Sequence, residues 1–113
     1  MKMMRAVLLI AAVCALVFSV AYAGGDAAKG KVLFNDTNFA GATSGKSCNS
    51  CHPDGRGLEN AGDKKEFRIM GKVQHSLEDA VNVCIVQAIN GKAIDPASDE
   101  MKDIVAYIKS LKG

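Results

Sequence analysis

Cys48-Asn49-Ser50-Cys51-His52 constrains this chain more than any other segment. The spacing C-x-x-C-H is the pattern of covalent c-type haem attachment. Two thiols two residues apart each add to one vinyl group of the porphyrin. The imidazole that follows at once is then held beneath the ring, where it binds the iron axially. Other uses of paired cysteines fit less well. A thioredoxin-like dithiol belongs in a βαβ setting, and no strand-rich flanks surround the motif. A zinc site needs a second Cys/His pair at ligand spacing, and the distant His75 and Cys84 do not supply one. The residues therefore imply one covalently bound haem c, anchored by Cys48 and Cys51, with His52 as proximal iron ligand.

The first residues read as an export signal. Lys2 and Arg5 precede an apolar run over residues 6–18, and Ala21-Tyr22-Ala23 follows as an A-x-A-like cleavage site. The run is shorter than the ~20 apolar residues of an easy bilayer span, so stable membrane insertion is not expected. Cys14 follows Val13, where a lipoprotein signal wants a small residue, and is not read as a lipid site. The reading is thus a signal peptide over 1–23 and one small periplasmic or otherwise exported monohaem domain over 24–113. So short a chain has a thin core of its own. A haem at its centre would supply much of the buried area, at about 25 cal/mol per Å², and the apo-protein is expected to be poorly folded. Removing the leader leaves twelve basic and twelve acidic residues, and haem propionates would tip the balance slightly negative. There is no Trp, no charge block and no basic patch interleaved with aromatics. Nucleic-acid and membrane-surface binding are not expected.

Helical signals account for most of the remainder. Asp26 can cap a helix over residues 27–34, with Gly30 and Phe34 on one face. Residues 35–47 are polar and Gly-rich and read as a loop. The haem motif follows on a short helix that ends in Pro53-Asp54-Gly55-Arg56-Gly57. Residues 66–73 suggest a short helix interrupted at Gly71. Ser76, with Asp79 three residues on, starts a further helix in which Leu77, Val81, Cys84, Ile85 and Ala88 keep helical spacing. Asn90-Gly91 ends it. The last helix begins near Ser98, or at Asp95 with Pro96 in first position. Met101, Ile104, Val105, Ile108 and Leu111 form its apolar stripe. With no repeats and no alternating strand pattern, the fold class is all-α.

This order of features resembles the class I cytochromes c. The resemblance rests on Gly30 and Phe34 in the first helix, on Cys48, Cys51 and His52 after it, and on the final run from Asp103 through Tyr107 to Leu111. It implies a cytochrome c fold in which the first and last helices cross at Gly30, Phe34 and Tyr107 around the haem. In most class I cytochromes a Met in the loop before the last helix binds the distal side of the iron. Here that loop, Gly91-Lys92-Ala93-Ile94-Asp95-Pro96-Ala97, has no Met.

Four residues are candidates for the distal ligand. Met101 lies on an apolar stripe, where Met is more often core. Met70 precedes the third helix, and His75 stands just outside its cap. Cys84 is the cysteine left over once Cys48 and Cys51 hold haem, and an odd thiol in an exported chain needs a reason. A small buried hydrophobe is one such reason. The run Val81-Asn82-Val83-Cys84, then Asn90-Gly91-Lys92 and Ser98 to Tyr107, is also similar to the haem domains of thiosulfate-oxidising cytochromes. It is similar as well to the small heterodimeric cytochrome pairs of anaerobic ammonium-oxidising bacteria. That resemblance implies iron ligation by Cys84. Thiolate ligation favours ferric iron and a low potential, whereas a Met thioether raises it.

The residues offer no general base, nucleophile or second metal site, so an enzyme is not expected. The function read from the sequence is periplasmic electron transfer with redox protein partners. A second small cytochrome c, in a heterodimer, is one such partner, and a place as haem subunit of a larger complex is another. The alternative is a haem protein or sensor that binds a diatomic gas, NO or CO, at a labile distal site. Catalysis at sulfur compounds rests on fold analogy alone. Around the motif, Pro53 can orient the imidazole of His52, and Gly55 and Gly57 let the chain pass close to the ring. Lys46 and Arg56 are basic residues within sequence reach of haem propionates, although exposed cations are more often simply solvated.

Overall fold

Asp26 starts the first helix and also ties it to the last. The computed structural model describes residues 24–113, so the expected signal peptide and Cys14 lie outside the described residues. Helix α1 (Ala27–Asn35) is capped by the Asp26 carboxylate, which accepts from the N–H groups of Ala28 at 2.9 Å and Lys29 at 3.2 Å. The Asp26 N–H donates to Oδ1 of Asp103 at 2.8 Å. Asp103 belongs to α4 (Asp99–Ser110), at the other end of the chain. The two helices meet where α1 has no side chain: a Cβ on Gly30 would strike the Asp103 carbonyl and lie 2.9 Å from the Tyr107 Cβ. One turn further on, the buried Phe34 ring packs against Tyr107, with centroids 5.1 Å apart and planes tilted by 58°. Such a pair contributes about 0.5–1.5 kcal/mol beyond its area burial.

Between them lie α2 (Cys48–Cys51), a hairpin of β1 (Phe67–Ile69) and β2 (Lys72–Gln74), and α3 (Leu77–Ala88). Single 3₁₀ turns occupy Phe39–Gly41, Pro53–Gly55 and Ala61–Asp63. Helices predominate, and among the described residues none is long and apolar enough to cross a membrane. The Ser76 hydroxyl caps α3 by accepting from the Asp79 N–H at 3.1 Å. At the other end Asn90 takes a left-handed backbone (φ 54°), and the Gly91 N–H returns to the Ile85 carbonyl at 2.8 Å. Ser98 caps α4 by accepting from the Met101 N–H at 3.2 Å. Asp95 and Pro96 form the turn before it rather than its first residues, because the Ser98 N–H and hydroxyl both donate to the Asp95 carbonyl. The core gathers Phe34, Ile85, Met101 and Ile104, all essentially inaccessible. Phe39, from the polar loop after α1, joins it.

The segment over 66–73 departs from the expected helix. Phe67 pairs with Gln74, Arg68 with Val73 and Ile69 with Lys72 in antiparallel register. Met70 and Gly71 form the two-residue connection, with φ of 51° and 79°. Positive φ at both positions is the type I′ turn that suits the twist of a hairpin. Gly71, which in a helix would be an interruption, is here the residue that makes the turn. The architecture is therefore mostly helical with one small hairpin, not wholly α.

Candidate functional site

The Cys48–His52 segment is held by its own short side chains. The N–H of buried Ser47 donates to Oγ of Ser50 at 3.0 Å. The His52 N–H closes the single turn onto the Cys48 carbonyl at 3.0 Å. Asn49 Oδ1 accepts from the Asp54 N–H at 2.8 Å and bends the chain back after His52. Nδ1 of His52 then meets the Arg56 carbonyl at 2.9 Å. A carbonyl only accepts, so Nδ1 carries the proton and Nε2 keeps its lone pair free for a metal. The orienting carbonyl is that of Arg56 and not Pro53, whose own carbonyl takes the Arg56 N–H at 3.0 Å. Gly57 (φ 90°) makes the approach feasible, since a Cβ there would lie 3.3 Å from Nδ1.

His52, Cys48 and Cys51 line a cavity of about 470 Å³, within the ~300–1,000 Å³ typical of ligand and cofactor sites. α4 contributes Ile104 and Ile108 to its wall, and α3 contributes Val81 and Cys84. The hairpin closes it with Phe67, Ile69 and Met70, while Lys64, Glu66 and Arg68 bring charge to the same wall. Most of the lining is apolar.

All three described cysteines are free thiols on this one cavity. Burial pushes the Cys48 thiol up to about 11, helped by the nearness of Cys84 and, less, of Cys51, while a backbone hydrogen bond pulls weakly the other way. Burial also raises Cys84, with Cys51 as the lesser cause. Cys84 thus stands within electrostatic reach of the motif, and burial disfavours the charged form of both thiols. A cation in the cavity would invert that preference, because metal coordination deprotonates a thiol.

The four distal candidates separate in space. Cys84 lines the cavity and is half-buried. Met70 lines it from the hairpin turn, with 69% of its surface exposed. His75 is exposed beyond β2 and is not part of the wall. Met101 is wholly buried in the core and does not reach the cavity. The loop over 91–97 is held against α3 by Asn82, whose Nδ2 donates to the Ile94 carbonyl and whose Oδ1 accepts from the Ile94 N–H, both at 2.9 Å. Lys46 and Arg56 do not line the cavity; Lys64 and Arg68 do. Sequence reasoning missed these two, together with Phe67 and Ile69. The spacing of two between Phe67 and Ile69, followed by Met70-Gly71, was the signal that could have found them.

Comparison with protein-family models, with curated proteins and with solved structures found no match. The site's own geometry is therefore what bears on its chemistry. It offers two thiols and an oriented imidazole from one short segment, and a third thiol from α3, around an apolar space. Among the described residues no group of three or more His, Cys, Asp and Glu side chains forms a self-contained metal site. Cys48 and Cys51, which could form thioethers, and His52 and Cys84, which could donate to a metal, would fit an apolar macrocyclic group in this space.

Proposed function

We propose that this chain is an exported monohaem c-type cytochrome of class I fold, that it transfers electrons, and that His52 and Cys84 are its axial ligands. One observation carries the reading: Cys48, Cys51, His52 and Cys84 share a single apolar cavity, and His52 is held with Nε2 free. The close crossing of α1 and α4 at Gly30, beside the Phe34–Tyr107 pair, supports the fold.

When bound, haem supplies a one-electron ferric/ferrous couple. The chain does the rest. Cys48 and Cys51 would hold the group covalently, and the Arg56 carbonyl orients the His52 imidazole and makes it more basic. The walls from α3, α4 and the hairpin exclude water and lower the local dielectric, which tunes the potential. Cys84, as a thiolate, would lower that potential further. Lys64 and Arg68 stand where the anionic edge of a porphyrin can meet cations.

The test is expression in cells that mature c-type cytochromes. The product should be coloured, and its intact mass should equal the chain from Gly24 plus one haem. Cys48→Ser with Cys51→Ser should abolish the addition. A colourless product, or a mass without the tetrapyrrole, overturns the proposal. In the coloured protein, a prompt Soret shift when CO meets the reduced form would favour the gas-binding alternative over plain electron transfer.

A further inference from the structure

Helix α3 has the cavity on one side and an open groove of about 630 Å³ on the other. Val81 and Cys84 line the cavity, whereas Asn82, Val83 and Val86 line the groove. At about 100° per residue, Asn82 and Cys84 project from nearly opposite faces of the helix. Along its outer face a groove, rather than a packed layer, lies behind α3. Packing from behind therefore does not set how deeply Cys84 reaches into the cavity.

Hydrogen bonds supply the brace instead, and they bracket Cys84. Past the helix end, the Gly91 N–H donates to the Ile85 carbonyl at 2.8 Å and the Lys92 N–H to the Ala40 carbonyl at 2.9 Å. The Ile89 carbonyl accepts from the N–H groups of Thr43 and Ser44 at 3.2 and 3.3 Å. These bonds pin the C-terminal end. Two residues before Cys84, Asn82 pins the middle, because its amide takes both backbone groups of Ile94, each at 2.9 Å. Among the described residues it is the one α3 side chain hydrogen-bonded to another segment. Asn is a poor helix former, since its side chain competes for nearby backbone groups. In the interior of the twelve-residue α3 it therefore needs a reason. The paired donor and acceptor is one, because only the amides Asn and Gln match a peptide group in this way. Ile94, so held, packs against the core.

We propose that Asn82 is the positioning residue for Cys84: by clamping the loop over 91–97 to the outer face of α3, it holds the helix at the depth where the Cys84 thiol can serve as distal ligand. The proposal rests on the haem and Cys84 reading above. Without the clamp, the hydrogen bonds beyond α3 hold its C-terminal end alone. The helix then pivots about Ile89 and carries Cys84 with it. Losing two partly buried hydrogen bonds also costs stability, so stability by itself does not test the role.

The test compares holoproteins by ferric electron paramagnetic resonance and by reduction potential, with the thermal midpoint as a separate readout. Asn82→Ala should widen the narrow g spread of a thiolate-bound low-spin haem, or give a five-coordinate high-spin signal, and should raise the potential. Asn82→Gln, which keeps both groups on a longer stem, should restore much of the parent spectrum. Asp26→Ala removes the α1 cap and the tie to Asp103, outside both cavity and groove. It should lower the midpoint and leave the g values and potential as in the parent. Parent g values and potential in Asn82→Ala, or the same spectral change in Asp26→Ala, overturn the proposal. Should Asn82→Ala yield no holoprotein, Asn82→Asp, which keeps the acceptor and loses the donor, is read by the same criterion. Cys84→Ser keeps the two readings apart. A parent spectrum in that variant overturns the ligand reading and the clamp's purpose with it, whereas a changed spectrum there beside an unchanged one in Asn82→Ala overturns only the positioning role.

Discussion

The imidazole of His52 is fixed from behind. Its Nδ1 is engaged by a backbone carbonyl, Gly57 leaves room for that contact, and the free Nε2 is the atom left to bind. Cys84 has no comparable tether. It is placed by its helix, one turn after Val81 on the same wall, and burial disfavours its charged form. If it is the distal ligand, Cys84→Ser should leave haem attached but raise the reduction potential by on the order of 100 mV, within the ~0.8 V range that axial ligands span. Electron paramagnetic resonance of the ferric protein should lose the narrow g spread of a thiolate-bound low-spin haem. Met70→Ala is the matched control, because Met70 is the other sulfur on the cavity, and it should leave the ferric spectrum unchanged. An unaltered Cys84→Ser spectrum together with a changed Met70→Ala spectrum would transfer the ligand to Met70.

At the scale of elements, the α1–α4 crossing carries the fold and depends on a missing methyl group. Gly30→Ala places a Cβ against the Asp103 carbonyl, which is backbone and cannot rotate away. The helices must separate, disturbing the Phe34–Tyr107 pair and the Asp26–Asp103 hydrogen bond. The expected cost is about 1–3 kcal/mol, read as a lower thermal midpoint. A midpoint within error of the parent protein would mean that the helices do not meet at this residue. The two long helices after the motif and the first helix were legible in the sequence because each carries its own punctuation: Asp26, Ser76 and Ser98 as caps, and an apolar face at helical spacing. The hairpin was not. Its strands have three residues each, too few for alternation to register, and Arg68 and Lys72 dilute what little there is. That Cys48, Cys51 and His52 share one cavity wall could be read because they are neighbours in the chain. The basic wall at Lys64 and Arg68 could not, because only the folded turn brings it to the cavity.

Across the whole molecule, the cavity is large for so short a chain. Left open to water, the mostly apolar lining of the 470 Å³ space weighs against folding by about 25 cal/mol per Å² of apolar surface left exposed. A domain of ordinary stability has only about 5–15 kcal/mol in total. Collapse of the walls would relieve part of that cost. Collapse would draw in α3 and the hairpin, whose side chains form much of the cavity wall, while α1 and α4 keep their own crossing. The chain with Cys48→Ser and Cys51→Ser should therefore retain much of its far-ultraviolet helix signal, lose near-ultraviolet tertiary signal and melt without a sharp transition. Hydrogen exchange should show α1 and α4 as the protected pair, with α3 and the hairpin exchanging fast. A cooperative melt with native-like protection in α3 would show that the helices close the cavity without a macrocycle, and would count against a group at the centre as the element that holds the two halves together.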